Sequence, residues 1–386
     1  MRAIITISII WLFLFSACKK NDNDQEKNEP TYYLFNGTIG ASGNSTCVSL
    51  DDNLIICGNY NEKISLIKVS KSGEEVWRND FDAGNMSSVK SLTQAENGEI
   101  FICGSTYRNN GRMDVLLVKT NRDGDTVFTK TYGGNDSDYG RCIKKTKDGN
   151  ILIAGNTKSF GSGSTGDVYL IKLNYDGEIL WSENYAEPEL KVPYHLLETE
   201  TGAFIITGTN KDYNNPGEIC LLKIELDGTK IWDKNISSPT SKEVISTIEL
   251  SNSDLLICGQ HTLIDGSTQV LVLKTDNLGN TIWEKEFGED KSSEIGFSIM
   301  QNSFESYTVT GTSYDESLMQ SDIILFKIDQ TGNQVWFKKF GSKGDDWGMN
   351  LIKDNNNDIL ITGDYNIKGS DKNIFLTRTD PEGNFK

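Results

Sequence analysis

The sequence predicts an all-β protein, a seven-bladed β-propeller of four-stranded blades, and three observations carry that expectation. The first is a repeat of 46 to 53 residues, met seven times: an apolar run ending in Gly, a variable stretch, an apolar run ending in a basic residue, Gly five residues on, and an aromatic four beyond. The first Gly is Gly58, Gly104, Gly155, Gly208, Gly259, Gly311 and Gly363, and the basic residue is Lys68, Lys119, Lys172, Lys223, Lys274, Lys327 and Arg378. The second Gly is Gly73, Gly124, Gly177, Gly228, Gly279, Gly332 and Gly383; the aromatic is Trp77, Phe128, Trp181, Trp232, Trp283 and Trp336, and the chain ends before a seventh. The second observation is that the apolar runs have strand length and no helical period. The third is that the last unit stops at Lys386 before its outer strand, whereas residues 31–35 (TYYLF) stand ahead of the first unit like the end of such a strand.

The third unit sets out the elements of one blade. Residues 142–146 form strand a and 151–155 strand b, joined by a tight turn at Asp148-Gly149-Asn150. Residues 167–172 form strand c, a turn follows at Asn174-Tyr175-Asp176-Gly177, and 179–185 form strand d. Strands b and c are nearly continuous in Ile, Leu and Val, as suits strands covered on both faces by neighbouring blades. An unpaired edge is an aggregation site, so the N-terminal segment is expected to complete the last blade and close the ring, making residues 31–386 one domain.

Most residues that look chemical belong to this repeat. One Trp per blade at a fixed strand position is the pattern of a packing residue, and Cys57, Cys103 and Cys258, each before a repeat Gly, read as small buried fillers. Six cysteines follow Cys18, and since three occupy equivalent places in different blades, free thiols are expected rather than disulfides.

Ahead of the propeller, Arg2 and the apolar run 4–15 form a signal peptide over residues 1–17, too short to span a bilayer stably. Phe15-Ser16-Ala17-Cys18 has the form of a bacterial lipobox, with Phe15 where Leu is usual, which makes Cys18 the lipidated residue and 18–30 a polar tether. Several acyl chains at about 0.8 kcal/mol per buried methylene make a durable membrane anchor. Lys19 follows Cys18 where an inner-membrane retention signal would have Asp, so the expected place is the outer membrane, at the cell surface or on its periplasmic face. Loss of Arg2 takes the formal charge from −17 to −18, which opposes binding to nucleic acid.

The a-to-b and c-to-d connections are tight and share one face of the disc; the longer b-to-c and d-to-a connections share the other, where recognition is usually placed. If residues 31–35 are a strand d, the tether leaves from the tight-turn face and the long-loop face points away from the membrane. That outward face carries the ligand-binding candidates Tyr60, Tyr107, Tyr213, Tyr314 and Tyr365 with Phe160 in b-to-c loops, Tyr139, Tyr194 and Trp347 in d-to-a segments, and His261. Thirteen residues before each repeat Gly stand Ser45, Ser91, Cys142, His195, Ser246, Ser298 and Asn350, which are expected to ring the central channel and to hold ordered water.

The residues of familiar chemistry are sparse. Two histidines, His195 and His261, fall in different blades, which leaves a His-based triad or multi-His metal centre hard to assemble. The acidic stretches 121–125 and 354–358 fall on repeat turns and lack the downstream bidentate Glu of a calcium loop. No catalytic residue, metal or cofactor is assigned, and the chain is read as a monomer.

The phrase 171–181 (IKLNYDGEILW), repeated at 273–283 (LKTDNLGNTIW), resembles the blade motif of quinoprotein-like propellers and of surface lipoproteins of the Bacteroidota built from such repeats. The resemblance implies a propeller over nearly the whole mature chain. It implies no quinone cofactor, because the adjacent Cys pair common in those enzymes is missing. A propeller lipoprotein of the outer-membrane barrel-assembly machinery is similar in length and anchoring, though built of eight blades. The expected function is therefore a non-enzymatic binding module that takes a glycan or protein with its long-loop face. An envelope assembly scaffold facing the periplasm and a glycan-active hydrolase are the alternatives.

Overall fold

The computed structural model describes residues 30–36, 45–60, 63–83, 87–161, 166–186, 192–210, 216–289, 292–303, 305–366 and 372–386. Cys18, the lipobox, most of the tether and Tyr213 lie outside them. The described strands form seven antiparallel four-stranded sheets, as the repeat predicts. In blade 3, strand a (Asp138–Lys145), strand b (Ile151–Thr157), strand c (Asp167–Leu173) and strand d (Ile179–Tyr185) pair in chain order. Strand a begins four residues earlier than its apolar run suggests, because Asp138 and Tyr139 still pair with Thr157 and Asn156.

Blade 7 contains the closure. Its strands a to c are Trp347–Lys353, Ile359–Asn366 and Lys372–Thr379, and its outer strand is the N-terminal segment Tyr33–Asn36, with Tyr33 opposite Leu376 and Asn36 opposite Asn373. Phe35 is buried in a cluster that joins Ile374 and Leu376 of this blade to Leu54 and Ile67 of blade 1. The first and last parts of the sequence thus share one core, which converts an open stack of blades into a ring.

Burial follows strand position. Strands b and c of blade 3 are buried at every residue, while strand d has no buried one. Each hydrophobic cluster spans two neighbouring blades; one holds Phe101 and Leu117 of blade 2 with Ile153 and Ile171 of blade 3. Apolar residues on both faces of b and c are needed because each blade is packed between two others.

The repeat residues tie these layers together. Trp181 is half-buried and reaches the next blade's c-to-d turn, where its Nε1 donates to the carbonyl of Leu226 at 3.2 Å. Tyr132 OH and Lys130 Nζ make the same crossing to the carbonyls of Gly177 and Asp176. The turn Gly beneath has a left-handed backbone, φ +73° at Gly177, and a Cβ there would lie 3.1 Å from Phe128. In blades 1 to 3 the basic residue closing strand c pairs with an acid of its own a-to-b turn: Lys68 with Asp51 at 2.7 Å, Lys119 with Glu99 at 2.9 Å, Lys172 with Asp148 at 2.6 Å. These residues are scaffold, as the repeat implied, with the Trp series at the seam between blades rather than deep in the core.

Candidate functional site

The most distinctive geometry lies on the axis. Strand a carries a β-bulge just before the ring position in six blades, at Val89/Ser91, Gly140/Cys142, Pro193/His195, Val244/Ser246, Gly296/Ser298 and Gly348/Asn350. A bulge adds one residue that has no cross-strand partner and re-aims its side chain. The repeat Gly of strand b faces the bulge: Gly155 opposes Gly140, and a Cβ on it would collide with the carbonyl oxygen of Tyr139. The first Gly of the repeat is therefore a device for making room at the channel wall.

A cavity of about 560 Å³ results, lined by all seven blades. All seven residues expected at the ring line it: Ser45, Ser91, Cys142, His195, Ser246, Ser298 and Asn350. The bulged residues line it too: Tyr194, which the sequence placed on the long-loop face, and Lys90, Arg141, Ile245, Phe297 and Met349, which sequence reading missed. They stand one place before the ring series, so the same register contained them; only the bulge turns two successive residues toward one side.

The bulged side chains divide the channel. Blades 2 and 3 supply Lys90 and Arg141, joined by Lys144, whereas blades 4 to 7 supply Tyr194, Ile245, Phe297 and Met349. Burial, then repulsion from Arg141, pulls the Lys90 ammonium down to about 8. Burial also lowers Lys144, against the pull of Glu198. Among the described residues no ion pair joins Lys90, Arg141 or Lys144 to a carboxylate, whereas the pairs seen elsewhere include Lys68 with Asp51 and Lys172 with Asp148. Arg141 Nε donates to Asn156 Oδ1 at 3.4 Å and its guanidinium lies 5.9 Å from the Tyr139 ring centre. His195 is held near 4 by burial, then by Lys144, and its buried Nδ1 has no hydrogen-bond partner.

The other candidates are scattered. Trp347 stacks behind Phe297 with ring centres 6.2 Å apart, so it backs the apolar channel wall. Tyr365 is a correction: it is buried, 4.5 Å from the ring of Tyr32 and beside Phe375, and its pairing with Asn373 places it within strand b rather than in a loop. Tyr60 likewise ends strand b in register with Lys63, on a short hairpin rather than a long loop. Tyr139 and Tyr314 are half-buried within strands, Tyr314 opposite Ser293 and Ser321. Tyr107 and Phe160 are exposed, at 41% and 46%.

His261 gives a second correction. Its Nε2 lies 2.6 Å from Thr240 Oγ1 and its Nδ1 2.6 Å from Glu286 Oε1, so one histidine with residues of its own blade's edge assembles a hydroxyl–imidazole–carboxylate series. The distance between the two histidines in sequence had no bearing on that. The acidic turns behave as read: Asn121 Oδ1 accepts from the backbone N–H of Asp123 and Asp125, and Asp354 Oδ1 from those of Asn356 and Asp358, which occupies the side chains in holding the turns.

The fold and channel define a closed seven-bladed propeller with an axial cavity. No protein-family model matches the chain. An uncharacterized WD repeat-containing protein of Acanthamoeba polyphaga mimivirus is 23% identical over 367 residues, and the chain spans 26% of that protein's length with 78% of its own. Among solved structures, puromycin hydrolase superposes with a TM-score of 0.57 at 10% identity, over 91% of this chain and 53% of that one. Drosophila Plexin A in complex with Semaphorin 1b gives 0.52 at 9% identity over 90% and 87%, and a protein from Lactobacillus plantarum 0.50 at 10% over 92% and 94%. A hydrolase and a semaphorin-binding protein share the scaffold at similar scores, so these likenesses carry the propeller fold and leave activity open.

Proposed function

We propose that the chain is a lipid-anchored outer-membrane recognition module that binds a protein partner through its long-loop face and catalyses no reaction. The observation that carries this is the apolar content of the b-to-c tips, which the repeat does not require. Tyr107, Phe160, Ile264, Leu318 and Met319 stand there in blades 2, 3, 5 and 6, with Ile264 96% and Met319 77% exposed. Exposed aliphatic tips favour a protein over a glycan, since sugars stack on flat aromatic faces. Lipidation at Cys18 and display at the surface of a Bacteroidota-type cell extend the reading. The N-terminal strand begins on the tight-turn side, opposite Leu376 near the end of strand c, which supports a tether that leaves the loop face pointing outward.

The test places a photo-crosslinking amino acid at Ile264 or Met319, and as controls at Leu226 or Leu278 on the tight-turn face, in intact cells. Capture of one protein from the loop-face positions alone is expected. Equal capture from both faces, or none, would sink the reading. Palmitate labelling lost in Cys18→Ala tests the anchor, and protease shaving of intact cells separates surface display from a scaffold facing the periplasm.

A further inference from the structure

We propose that the axial channel is a binding site for a small organic oxyanion with an apolar body, its carboxylate or phosphate held by Lys90 and Arg141 and its body lying against Tyr194, Ile245, Phe297 and Met349. This site is independent of the loop-face reading and stands or falls without it.

The charge distribution is the first ground. The chain has 55 acidic against 38 basic residues, and buried or half-buried lysines such as Lys68, Lys119 and Lys172 each pair with a carboxylate. Lys90 and Arg141 are set side by side on bulges of adjacent blades, close enough to repel, with no carboxylate paired to either among the described residues. Setting like charges side by side in a half-buried channel costs free energy that an apolar residue at either bulge would avoid, as blades 5 to 7 do with Ile245, Phe297 and Met349. An oxyanion between them screens the repulsion and accepts from guanidinium N–H groups that the single bond to Asn156 leaves over.

The second ground is the opposite wall. Four successive blades turn an apolar or aromatic residue to the lumen, and Trp347 behind Phe297 fixes that ring in place. A simple inorganic anion would leave this half wetted and unused; a ligand with an apolar body covers it. The cavity volume of about 560 Å³ falls in the ordinary range for small-molecule sites. The third ground is His195, whose buried, unpartnered Nδ1 sits in the same lining and offers the ligand a polar contact.

The probes are phenylacetate, phenyl phosphate, acetate and the neutral 2-phenylacetamide, titrated calorimetrically into the full-length chain. Phenylacetate or phenyl phosphate is expected to bind one to one, at least tenfold more tightly than acetate and than the amide. Lys90→Gln and Arg141→Gln should each weaken that binding at least tenfold, while Phe297→Ala weakens phenylacetate and leaves acetate unchanged. Equal binding of the amide, no binding of either aryl anion at millimolar concentration, or unchanged affinity in Lys90→Gln would overturn the site and leave a water-filled channel. A second measurement holds even if a variant fails to fold. The Lys90 ammonium, followed by NMR in the wild-type chain, should titrate upward from about 8 when phenylacetate saturates the site, and an unmoved titration counts against the proposal.

Discussion

The ring of Tyr33 lies over the α-carbon of Gly73, so that a Cβ at Gly73 would collide with it. Tyr33 belongs to the outer strand of blade 7 and Gly73 to the c-to-d turn of blade 1. In register, Tyr33 stands two places past the position that the repeat aromatic takes in other blades, the place of Lys130, which reaches forward to the next turn as Tyr132 does two residues further on. The seventh aromatic is therefore supplied from the opposite end of the sequence.

Closure through this strand should carry global stability. Deleting residues 31–36 is expected to abolish a cooperative thermal transition, and Phe35→Ala, which empties a site buried between blades 7 and 1, should cost about 3–5 kcal/mol in urea denaturation. A truncated chain that melts like the intact one would refute the closure.

Backbone strain offers a gain. Gly98, Gly149 and Gly202 take the left-handed position of three a-to-b turns, and Asp52, Ser253 and Asn357 hold it in others, Ser253 at φ 66°. A side chain there is disfavoured by roughly 1 kcal/mol, so Ser253→Gly should raise stability by about 0.5–1 kcal/mol despite the added freedom of the unfolded chain. Differential scanning calorimetry would reveal it; a lower melting temperature contradicts the account.

Stability should fall with acid through His195. Burial, with Lys144, depresses its folded value to about 4 from the ordinary 6.5, so below 6.5 the unfolded chain takes up a proton that the folded chain refuses. The contribution is complete above pH 6.5 and is lost as pH falls toward 4, amounting to at most about 3 kcal/mol. His195→Gln should flatten the stability profile across that window, and an unchanged slope would show that the imidazole protonates freely in the folded state.

The repeat lysines should matter through their turns. The Lys172 side chain is 5% exposed, and its Nζ pairs with Asp148 at 2.6 Å and lies 5.6 Å from the Phe204 ring centre. Lys172→Ala is expected to cost about 1–3 kcal/mol, since Asp148 keeps partial access to water, and Asp148→Ala less. A double variant no worse than Lys172→Ala alone would establish the coupling.

Thiol chemistry should be silent in the native state. Burial first of all pushes Cys57 and Cys142 up to about 12, and none of the six described cysteines forms a disulfide. Ellman's reagent should modify them slowly without denaturant and completely with it.

The sequence by itself determined the blade. Gly, Lys and Trp recur at fixed spacings because each answers a local demand, a left-handed turn, a charge at the end of strand c, or a ring over the next turn, and local demands repeat with the chain. It also located the channel ring, since thirteen residues before each repeat Gly is a fixed distance along one hairpin. What only the tertiary structure decided is which residues far apart in the chain come to face one another. The bulges that turn Lys90, Arg141 and Phe297 inward depend on register across a hairpin, Tyr33 meets Gly73 only once the ring closes, and His261 meets Thr240 and Glu286 across a blade's edge. Spacing in sequence is blind to such contacts because cross-strand register, ring closure and the fold of a blade's edge bring together residues far apart in the chain.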